Sequence, residues 1–417
     1  MKPLDIAIAG CGPAGLAAAL HLVRDGHRVT AFERFAAPRP RGSGLIVQPV
    51  GMAVLAGLGL KPAILAKGAR IDRLFGRAAS GRIALDVRYA ALEGRAEFGL
   101  GLHRAELFGA LFEAALDACV GFEPGREVVG AAPASGDRRQ LAFKDGRRAG
   151  PFDLVVDALG ASSSLAPREG RALPYGALWA NVDWPAASAL DGSALEQRYS
   201  RASAMAGVMP IGSPGGSGAP QAAYFWSLRW DRLEDWRREG LDAWKAKARG
   251  LWPATEPLLA QIDAPERLVF ARYSHRTLAR PAERALVHVG DAWHSTSPQL
   301  GQGANMALLD AFALAQALRS ACDLPEALAR AVALRRWHVA LYQGMSRIFT
   351  PAYQSDSRVL PWARDRMAGP IAKLWPAHRV LAKMVGGLLG DPLGRLGLPA
   401  SAPAAPLRGP APVGPRR

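Results

Sequence analysis

The sequence predicts an α/β protein of two packed domains, in which a parallel sheet flanked by helices carries an inserted antiparallel sheet. Two buried strands, Asp5–Ala9 and Arg28–Glu33, flank a helix rich in Ala and Leu at Leu16–Asp25, and this order is a βαβ unit. Between about Leu173 and Ala271 aromatic residues alternate with small and polar residues, and Gly, Ser and Pro turns separate the runs. This texture is typical of an antiparallel sheet with one face turned towards a ligand. A chain of 417 residues is long enough for two domains.

The remaining elements follow from the pattern of apolar residues. Phe152–Ala158 and Leu286–Val289 are apolar runs typical of buried parallel strands. Helices are predicted where apolar residues recur at helical spacing or charges dominate: Met52–Leu58, Glu106–Cys119, Asp231–Leu251, Asn305–Ser320, Pro325–Gly344 and Ile371–Leu389, the last interrupted at Pro376. The Ala/Pro/Gly/Arg tail from about Pro399 to Arg417 cannot bury enough apolar surface to fold and is expected to be disordered.

The composition limits the classes of partner. The net charge is +16, but the basic residues are mostly Arg scattered without a dense block, so nucleic acid is not an expected partner. Part of this charge can serve anionic ligands. The three cysteines form no CxxC pair or Cys/His cluster, which predicts neither a disulfide framework nor a metal site and fits a reducing cytoplasm. No apolar run approaches 20 residues, so no membrane-spanning helix is expected.

A glycine-rich turn follows the first strand. In Gly10-Cys11-Gly12-Pro13-Ala14-Gly15, the first glycine permits a tight turn, and the second lets the backbone approach a pyrophosphate. The third allows the helix to pack closely on the strand, so the phosphates meet the helix N-terminus. Glu33, at the end of the second strand, would accept hydrogen bonds from ribose hydroxyls. Its charge disfavours a 2′-phosphate, which predicts FAD or NAD in a Rossmann-like domain rather than NADP.

A second signature begins after the strand at Leu286–Val289. The motif runs from Gly290 to Asn305, with a loop predicted over Asp291–Leu300 and a helix from Gly301. Asp291 would accept hydrogen bonds from a polyol such as ribityl, and Gly301 and Gly303 would let backbone amides approach a flat ring. The helix N-terminus would stabilise the negative charge of a reduced flavin.

These motifs resemble the class A flavoprotein monooxygenases, which have the p-hydroxybenzoate hydroxylase type of fold and include the ubiquinone-biosynthesis hydroxylases. The resemblance covers roughly residues 1–345 and rests on a specific set of motifs. That set is Gly12-Pro13-Ala14-Gly15-Leu16, Glu33-Arg34, Gly42-Ser43-Gly44-Leu45, Gln48-Pro49, His103-Arg104-Ala105-Glu106-Leu107, and Gly290-Asp291-Ala292 with Pro298, Gly301, Gly303 and Asn305.

The resemblance implies roles for particular residues. Arg104 would bind the FAD phosphates or ribityl, Pro298 would line the reaction site, and the Gly42–Leu45 loop would lie beside a flavin that swings between two positions. The residues expected to bind FAD, from the motifs and the resemblance together, are Gly10, Gly12, Pro13, Ala14, Gly15, Glu33, Arg34, Arg41, Gly42, Arg104, Val128, Asp157, Gly160, Gly290, Asp291, Pro298, Gly301, Gln302, Gly303, Ala304 and Asn305. The residues expected at the reaction site are Pro298, Gly44, Leu45 and His275.

The middle motif of that family is altered here. The family has Asp-Gly followed by Ser and Arg, whereas Leu159 replaces the acid and Ala166 the Arg, with Asp157 standing two residues early. The family links this motif to FAD and to the nicotinamide cofactor. FAD binding is therefore expected to persist, while the electron donor stays open between NADPH, NADH and a separate reductase.

Several histidine and aromatic residues allow two interpretations, one functional and one structural. His294 and His275 could act as bases, but each is more simply a hydrogen-bonded structural histidine. The aromatic residues Trp179, Tyr199, Tyr224 and Trp226 lie on alternating strands, and the sequence does not say which of them face a pocket.

The predicted fold is a Rossmann-like FAD-binding domain with an inserted β-sheet substrate domain and C-terminal helices. The FAD-binding domain would comprise 1–72, 99–172 and 272–320; the substrate domain 73–98 and 173–271; the helices 321–398; and the disordered tail 399–417. The basic, Trp-bearing helix at 371–389 could contact an anionic membrane, or could pack on the domain with a solvated basic face. The oligomeric state is left open.

By resemblance, the activity is hydroxylation or epoxidation of an electron-rich aromatic, polyketide-like or quinone-like substrate by O2, through a flavin C4a-hydroperoxide. A halogenase or reductase of the same fold is an alternative, although the Trp-x-Trp-x-Ile-Pro element of halogenases is absent. A non-catalytic FAD-binding partner protein is the alternative from another class.

Overall fold

The computed structural model describes residues 1–37, 43–92, 97–168 and 170–399. The strands are β1 Asp5–Ala9, β2 Arg28–Glu33, β3 Gly44–Val47, β4 Ala69–Ile71, β5 Arg73–Ala78, β6 Ile83–Arg88, β7 Gly99–His103, β8 Gly121–Pro124, β9 Val128–Pro133, β10 Arg139–Phe143, β11 Arg148–Phe152, β12 Leu154–Asp157, β13 Arg171–Asp183, β14 Ala194–Ser200, β15 Ala204–Gly212, β16 Gln221–Arg229, β17 Val269–His275, β18 Ala282–Glu283 and β19 Leu286–His288. The α-helices are α1 Pro13–Arg24, α2 Pro49–Gly57, α3 Lys61–Lys67, α4 Arg104–Asp117, α5 Leu233–Glu239, α6 Leu241–Leu251, α7 Glu256–Leu259, α8 Asp291–His294, α9 Gly303–Ser320, α10 Leu324–Tyr353, α11 Val359–Lys373, α12 Ala377–Val385 and α13 Pro392–Arg395.

A six-stranded sheet in the order β18-β19-β12-β1-β2-β8 forms the first layer. All neighbours pair in parallel except β18 and β19. Helices α1 and α9 pack against each other, and Leu16, Leu20, Leu308 and Leu314 are buried in the shared core. Burial of one such leucine contributes roughly 1.5–3 kcal/mol. The βαβ unit predicted from the sequence is therefore confirmed.

A seven-stranded sheet in the order β17-β13-β16-β15-β14-β5-β6 forms the second layer. Its two faces have different neighbours because side chains alternate along each strand. Tyr224 and Trp226 point to one face, where they pack against Trp244 of α6. Trp179 and Phe225 point to the other face, which borders the cavity described below. Strands β13 and β16 thus present one face to a helical core and the other to the cavity.

Two smaller sheets pack on these layers. One has the order β3-β7-β4 and the other the order β11-β10-β9, and all their strand pairs are antiparallel. The β9–β11 sheet packs beside β1, where Phe32 contacts Phe143 and Phe152. The β3–β7 pair lies between the first layer and the Met209 side of the second.

Several predicted elements were wrong in extent. The single helix predicted over Asp231–Leu251 is two helices, because Gly240 between them adopts φ +84°. The loop predicted over Asp291–Leu300 contains the short helix α8, and Phe152 ends β11 rather than starting β12. The helix predicted to end at Gly344 continues to Tyr353. The helix predicted over Ile371–Leu389 is the end of α11 followed by α12, so the preceding helical turns from Val359 were missed.

Candidate functional site

A cavity of about 800 Å³ runs from the glycine-rich turn after β1 to the free face of the seven-stranded sheet. Its two ends differ in chemistry. One end carries backbone turns and charged side chains: Gly10 to Ala14, Glu33, Arg34, Arg104, Arg126, Glu127, Gly160 and Asp291. The other is mostly apolar and aromatic: Leu74, Leu85, Ala177, Trp179, Leu195, Gln197, Met205, Met209, Phe225, Val269, Ala271 and Tyr273. Between them lie Gly44, Leu45 and the residues from Thr296 to Pro298.

Each glycine of the first turn meets a different steric limit. Gly10 has φ +101°, and an added Cβ would lie 2.7 Å from the carbonyl oxygen of Ala158. At Gly15 an added Cβ would lie 2.0 Å from the Gly10 oxygen, which shows how closely α1 approaches the strand. At Gly12 nothing lies within 4 Å of that position, which is open to the cavity. Among the described residues no side chain caps the N-terminus of α1, so its N–H groups are available to an anion.

Glu33 is held at the end of β2 by two backbone amides. Its Oε2 accepts from the N–H of Cys11 at 3.1 Å, and its Oε1 accepts from the N–H of Phe35 at 3.2 Å. These bonds fix the carboxylate where a ribose would lie beside the pyrophosphate turn. Burial, with the nearby charge of Glu33, raises the pKa of the Cys11 thiol to about 12, so this thiol stays protonated.

Asp291 is presented to the cavity by the turn that opens α8. That turn is held from behind by Asp310, whose Oδ2 accepts from the N–H of Gly290 at 2.9 Å and lies 2.6 Å from Nε2 of His294. The other oxygen of Asp310 accepts from Nε of the buried Arg335 at 2.8 Å. Burial alone would raise the pKa of Asp310, but His294 and Arg335 lower it to about 2. His294 is therefore a structural residue that holds the turn.

Asp291 is exposed to the open cavity, and the protein around it shifts the pKa of its carboxyl. Desolvation raises its pKa above the ordinary carboxyl value, while His294 and Arg104 oppose the rise. Arg104 lines the same part of the cavity with an exposed side chain.

The start of α9 forms the wall between the two ends of the cavity. Gly301 has φ +61°, and an added Cβ would lie 2.7 Å from Cγ2 of Ile46. Gly303, the first residue of α9, has nothing within 4 Å of the added atom and lines the cavity. The Asn305 side chain accepts from the N–H of Gln48 at 2.8 Å and donates to the carbonyl of Ile46 at 3.1 Å. Asn305 thus joins β3 to α9 behind the wall.

The apolar end presents a stacked aromatic pair and neutral donors. The rings of Trp179 and Phe225 stack with centroids 4.6 Å apart. Nε1 of Trp179 donates to Oη of Tyr273 at 3.0 Å, and the described residues offer no acceptor for the Tyr273 O–H itself. Gln197 accepts from the buried Tyr199 hydroxyl at 2.7 Å, while its Nε2 has only the sulfur of Met205, at 3.8 Å. Both Tyr273 and Gln197 can therefore donate to a ligand.

Charged side chains are scarce at this end. Among the described residues that line it, only Arg272 is charged, and its guanidinium stacks on the ring of Trp230 at 4.5 Å. Arg272 alternates along β17 with Ala271 and Tyr273, so its side chain leaves the sheet on the opposite face.

Asp157 of the altered middle motif holds backbone and does not line the cavity. Asp157 is fully buried; its Oδ1 accepts from the N–H of Leu159 at 3.0 Å, and its Oδ2 accepts from the Ser163 hydroxyl at 2.6 Å. Nδ1 of His288 lies 2.6 Å from the same Oδ2. The prediction that Asp157 touches the cofactor is therefore not supported by its position, since the residue does not line the cavity and both of its carboxylate oxygens already have protein partners.

Most of the predicted site residues converge on this one cavity. Those that line it are Gly10, Gly12, Pro13, Ala14, Glu33, Arg34, Gly44, Leu45, Arg104, Val128, Gly160, Asp291, Pro298, Gly301, Gln302, Gly303 and Ala304. Five do not line it: Gly15, Asp157, Gly290 and Asn305 support the walls, and His275 bonds to the hydroxyl of Ser346 at 3.2 Å. Arg41 and Gly42 lie outside the described residues, as does the tail beyond residue 399.

The sequence reasoning missed some residues of the site. Arg126, Gln197 and Tyr273 line the cavity, and Asp310 holds the Asp291 turn. No local motif marks any of them. The one available signal was Asp310, which lies inside the otherwise apolar run of α9. An unpaired charge is rarely buried in a core, so this aspartate indicated a buried partner.

The charged end of the cavity fits a dinucleotide such as FAD. Open backbone at Gly12 and Gly303 and the carboxylates of Glu33 and Asp291 all line the same cavity. Within the described residues, no group of three or more His, Cys, Asp and Glu side chains could hold a metal ion. Nor is any helix there both long and apolar enough to cross a bilayer.

Comparison with known proteins gives the same picture. The sequence model of the FAD-binding domain family matches residues 3–323. The chain is 31% identical over 356 residues to 3-amino-4-hydroxybenzoate 2-monooxygenase of Streptomyces cremeus, covering 79% of this chain and 82% of that protein. It is 25% identical over 329 residues to 6-hydroxynicotinate 3-monooxygenase of Pseudomonas fluorescens, covering 75% and 82%. The structure of Klebsiella pneumoniae HpxO with FAD and uric acid superposes with a TM-score of 0.78 at 23% identity, covering 94% of this chain and 98% of that one, which is a likeness of fold.

Proposed function

Since the chain belongs to the FAD-binding domain family and is an FAD-dependent monooxygenase, we propose that its substrate is a flat, uncharged aromatic compound that it hydroxylates with O2. The observation that carries this proposal is the continuity of one cavity between the pyrophosphate turn and the aromatic face of the seven-stranded sheet. Epoxidation of an electron-rich double bond would use the same arrangement.

The residues of the charged end would hold FAD along its length. The N-terminus of α1 and the Gly12 backbone would take the pyrophosphate, Glu33 the ribose and Asp291 the ribityl chain. The backbone from Gly301 to Gly303 would lie against the ring, where the N-terminal end of α9 favours negative charge. Bound FAD would supply the activation of O2, and the protein supplies position and a dry surrounding.

The apolar end would orient the substrate. Trp179 and Phe225 offer aromatic faces, and the Tyr273 hydroxyl and Gln197 amide offer hydrogen bonds to a substrate oxygen. Desolvation keeps the pKa of Tyr273 above its ordinary value, so the hydroxyl remains a neutral donor. The aliphatic and aromatic lining would also exclude water from the reacting atoms.

The absence of a cation directed into this end, within the described lining, favours an uncharged substrate. A carboxylate there would lose its hydration without gaining an ion pair, which is costly. A matched ligand pair tests this inference: 2-naphthol and 6-hydroxy-2-naphthoate differ by one carboxylate. Titration of the holoprotein, followed by the change in flavin absorbance, should show at least roughly tenfold tighter binding of 2-naphthol. Tighter binding of the carboxylate, lost in Arg272→Gln, would instead assign an anionic substrate.

We also propose that NADPH or NADH reduces the flavin directly. Leu159, Gly160 and Ser162 line the cavity, so the loop held by Asp157 reaches the ligand site even though the motif lacks its acid. Anaerobic mixing with each nicotinamide, with and without an aromatic ligand, should bleach the flavin. If neither nicotinamide bleaches a flavin that dithionite does reduce, a separate reductase supplies the electrons.

A further inference from the structure

The helix α11 carries an apolar face that points away from the protein. Seven large apolar side chains on α11 and the turn after it are between 41% and 71% exposed: Val359, Leu360, Trp362, Met367, Ile371, Leu374 and Trp375. A helix on the surface of a globular protein ordinarily turns polar residues outwards. We call this set of seven the α11 face.

The helix α11 is firmly packed on the protein although this face is exposed. The opposite side of α11 packs on β6, where Gly369 meets Ile83. The buried Arg364 donates to the carbonyl oxygens of Ala352 and Arg201, at 2.9 and 3.0 Å, and lies over the Tyr199 ring at 4.5 Å. The helix is thus anchored through its polar Arg364 side while its apolar side remains uncovered.

Positive charge surrounds the α11 face. Residues 347–380 contain six Arg and Lys but only two Asp, Asp356 and Asp365. Both aspartates are already paired, with Arg229 and Arg364. Within the described chain, Arg358, Arg366 and Lys373 have no carboxylate partner, and the Arg366 guanidinium stacks over Trp362 at 4.1 Å. Exposed tryptophans among unpaired cations are the features of a surface that inserts shallowly into an anionic bilayer.

We propose that the α11 face docks the enzyme on a membrane surface rich in anionic lipid. The charge around the face favours lipid phosphates over a second copy of this positively charged chain. The packed side of α11 covers β6, whose Leu85 lines the substrate end of the cavity, so only the thickness of this helix and strand separates the α11 face from that end. Docking would bring the apolar pocket close to the lipid phase from which a flat, uncharged substrate partitions.

Co-sedimentation of the FAD-loaded protein with vesicles tests this proposal. Wild type should bind vesicles of phosphatidylglycerol and phosphatidylcholine, bind pure phosphatidylcholine much more weakly, and be released by salt. Trp362→Ser/Trp375→Ser and Arg366→Glu/Lys373→Glu should each lower the partition coefficient by at least roughly tenfold. The matched controls are Trp337→Ser, which removes an exposed tryptophan on α10, and Lys2→Glu/Arg148→Glu, which reverses two exposed charges elsewhere; both should bind as wild type.

Retained FAD absorbance in each variant shows that it is folded. Failure of wild type to bind anionic vesicles overturns the proposal, as do control variants that lose binding equally. Light scattering of the protein alone tests whether a second copy of the chain, and not a membrane, covers the α11 face. A dimer that Trp362→Ser/Trp375→Ser dissociates would assign the α11 face to a second copy of the chain and contradict membrane docking.

Discussion

Replacement of Gly303 by valine separates cofactor binding from folding. Nothing lies within 4 Å of a Cβ added at this first residue of α9, and the position is open to the cavity. The apoprotein should therefore fold normally, with a free energy of unfolding within about 1 kcal/mol of wild type. The same side chain would occupy space that the ring needs. Overpacking a close contact costs about 1–3 kcal/mol, which corresponds to roughly a 5- to 150-fold loss of FAD affinity.

The assay is titration of the apoprotein with FAD, followed by quenching of flavin fluorescence, together with urea unfolding of the apoprotein. Gly57→Val adds the same group at an exposed glycine with nothing within 4 Å and should change neither quantity much. Gly301→Ala should instead lower the free energy of unfolding of the apoprotein by about 1–2 kcal/mol or more. An alanine is strained at φ +61°, and its Cβ would lie 2.7 Å from Cγ2 of Ile46. A Gly303→Val protein that purifies with a full complement of FAD would refute the placement of the ring against α9.

Three further predictions concern the supports of the site. Asp310→Asn should lower the free energy of unfolding by about 3–5 kcal/mol, measured by urea denaturation, because it leaves the buried Arg335 without its counter-ion; an unchanged midpoint would contradict that role. The pKa of Asp310 is about 2 in the folded protein against 3.8 ordinarily, so about 2 kcal/mol of stability is present above pH 4 and lost as the pH falls towards 2. The stability difference between wild type and Asp310→Asn should shrink over that window, and a constant difference would argue against the ion pair. Tyr273→Phe should raise the KM for an oxygen-bearing aromatic substrate roughly tenfold with little change in FAD affinity. Equal KM values for wild type and this variant would contradict the proposed hydrogen bond between Tyr273 and the substrate.

Local signals made the cofactor end of the site predictable. The strand, glycine turn and helix from Asp5 to Arg24 each have a marked sequence pattern, and the spacing to Glu33 is set by the βαβ unit itself. The second signature is equally local, since Asp291, Gly301 and Gly303 lie within one turn and one helix start.

Long-range contacts set the limits of prediction. Asp157 looked available to a cofactor, but Ser163 and His288 occupy its carboxylate, and His288 is 131 residues away in sequence. Which face of the sheet Trp179, Tyr224 and Trp226 occupy depends on the strand register. That register places Trp179 directly opposite Phe225, and it turns Tyr224 and Trp226, the neighbours of Phe225, into the core. No local pattern contains that register.

The prediction of the C-terminal helices failed for a different reason. In α11 apolar residues occur on both the packed and the exposed side, so the sequence between Val359 and Pro370 lacks the single apolar stripe that identifies a surface helix. An unusual function of the outer side would account for both the missing pattern and the missed helix.

A single-turnover experiment with ¹⁸O2 tests the central claim most directly. The holoprotein is photoreduced without a nicotinamide, bound to 2-naphthol or a related uncharged phenol, and mixed with ¹⁸O2. We expect one ¹⁸O atom in the aromatic product for each reduced flavin that reacts productively. Recovery of all the reducing equivalents as hydrogen peroxide with every uncharged phenol, or ¹⁸O transfer to the hydroxynaphthoate alone, would contradict the account.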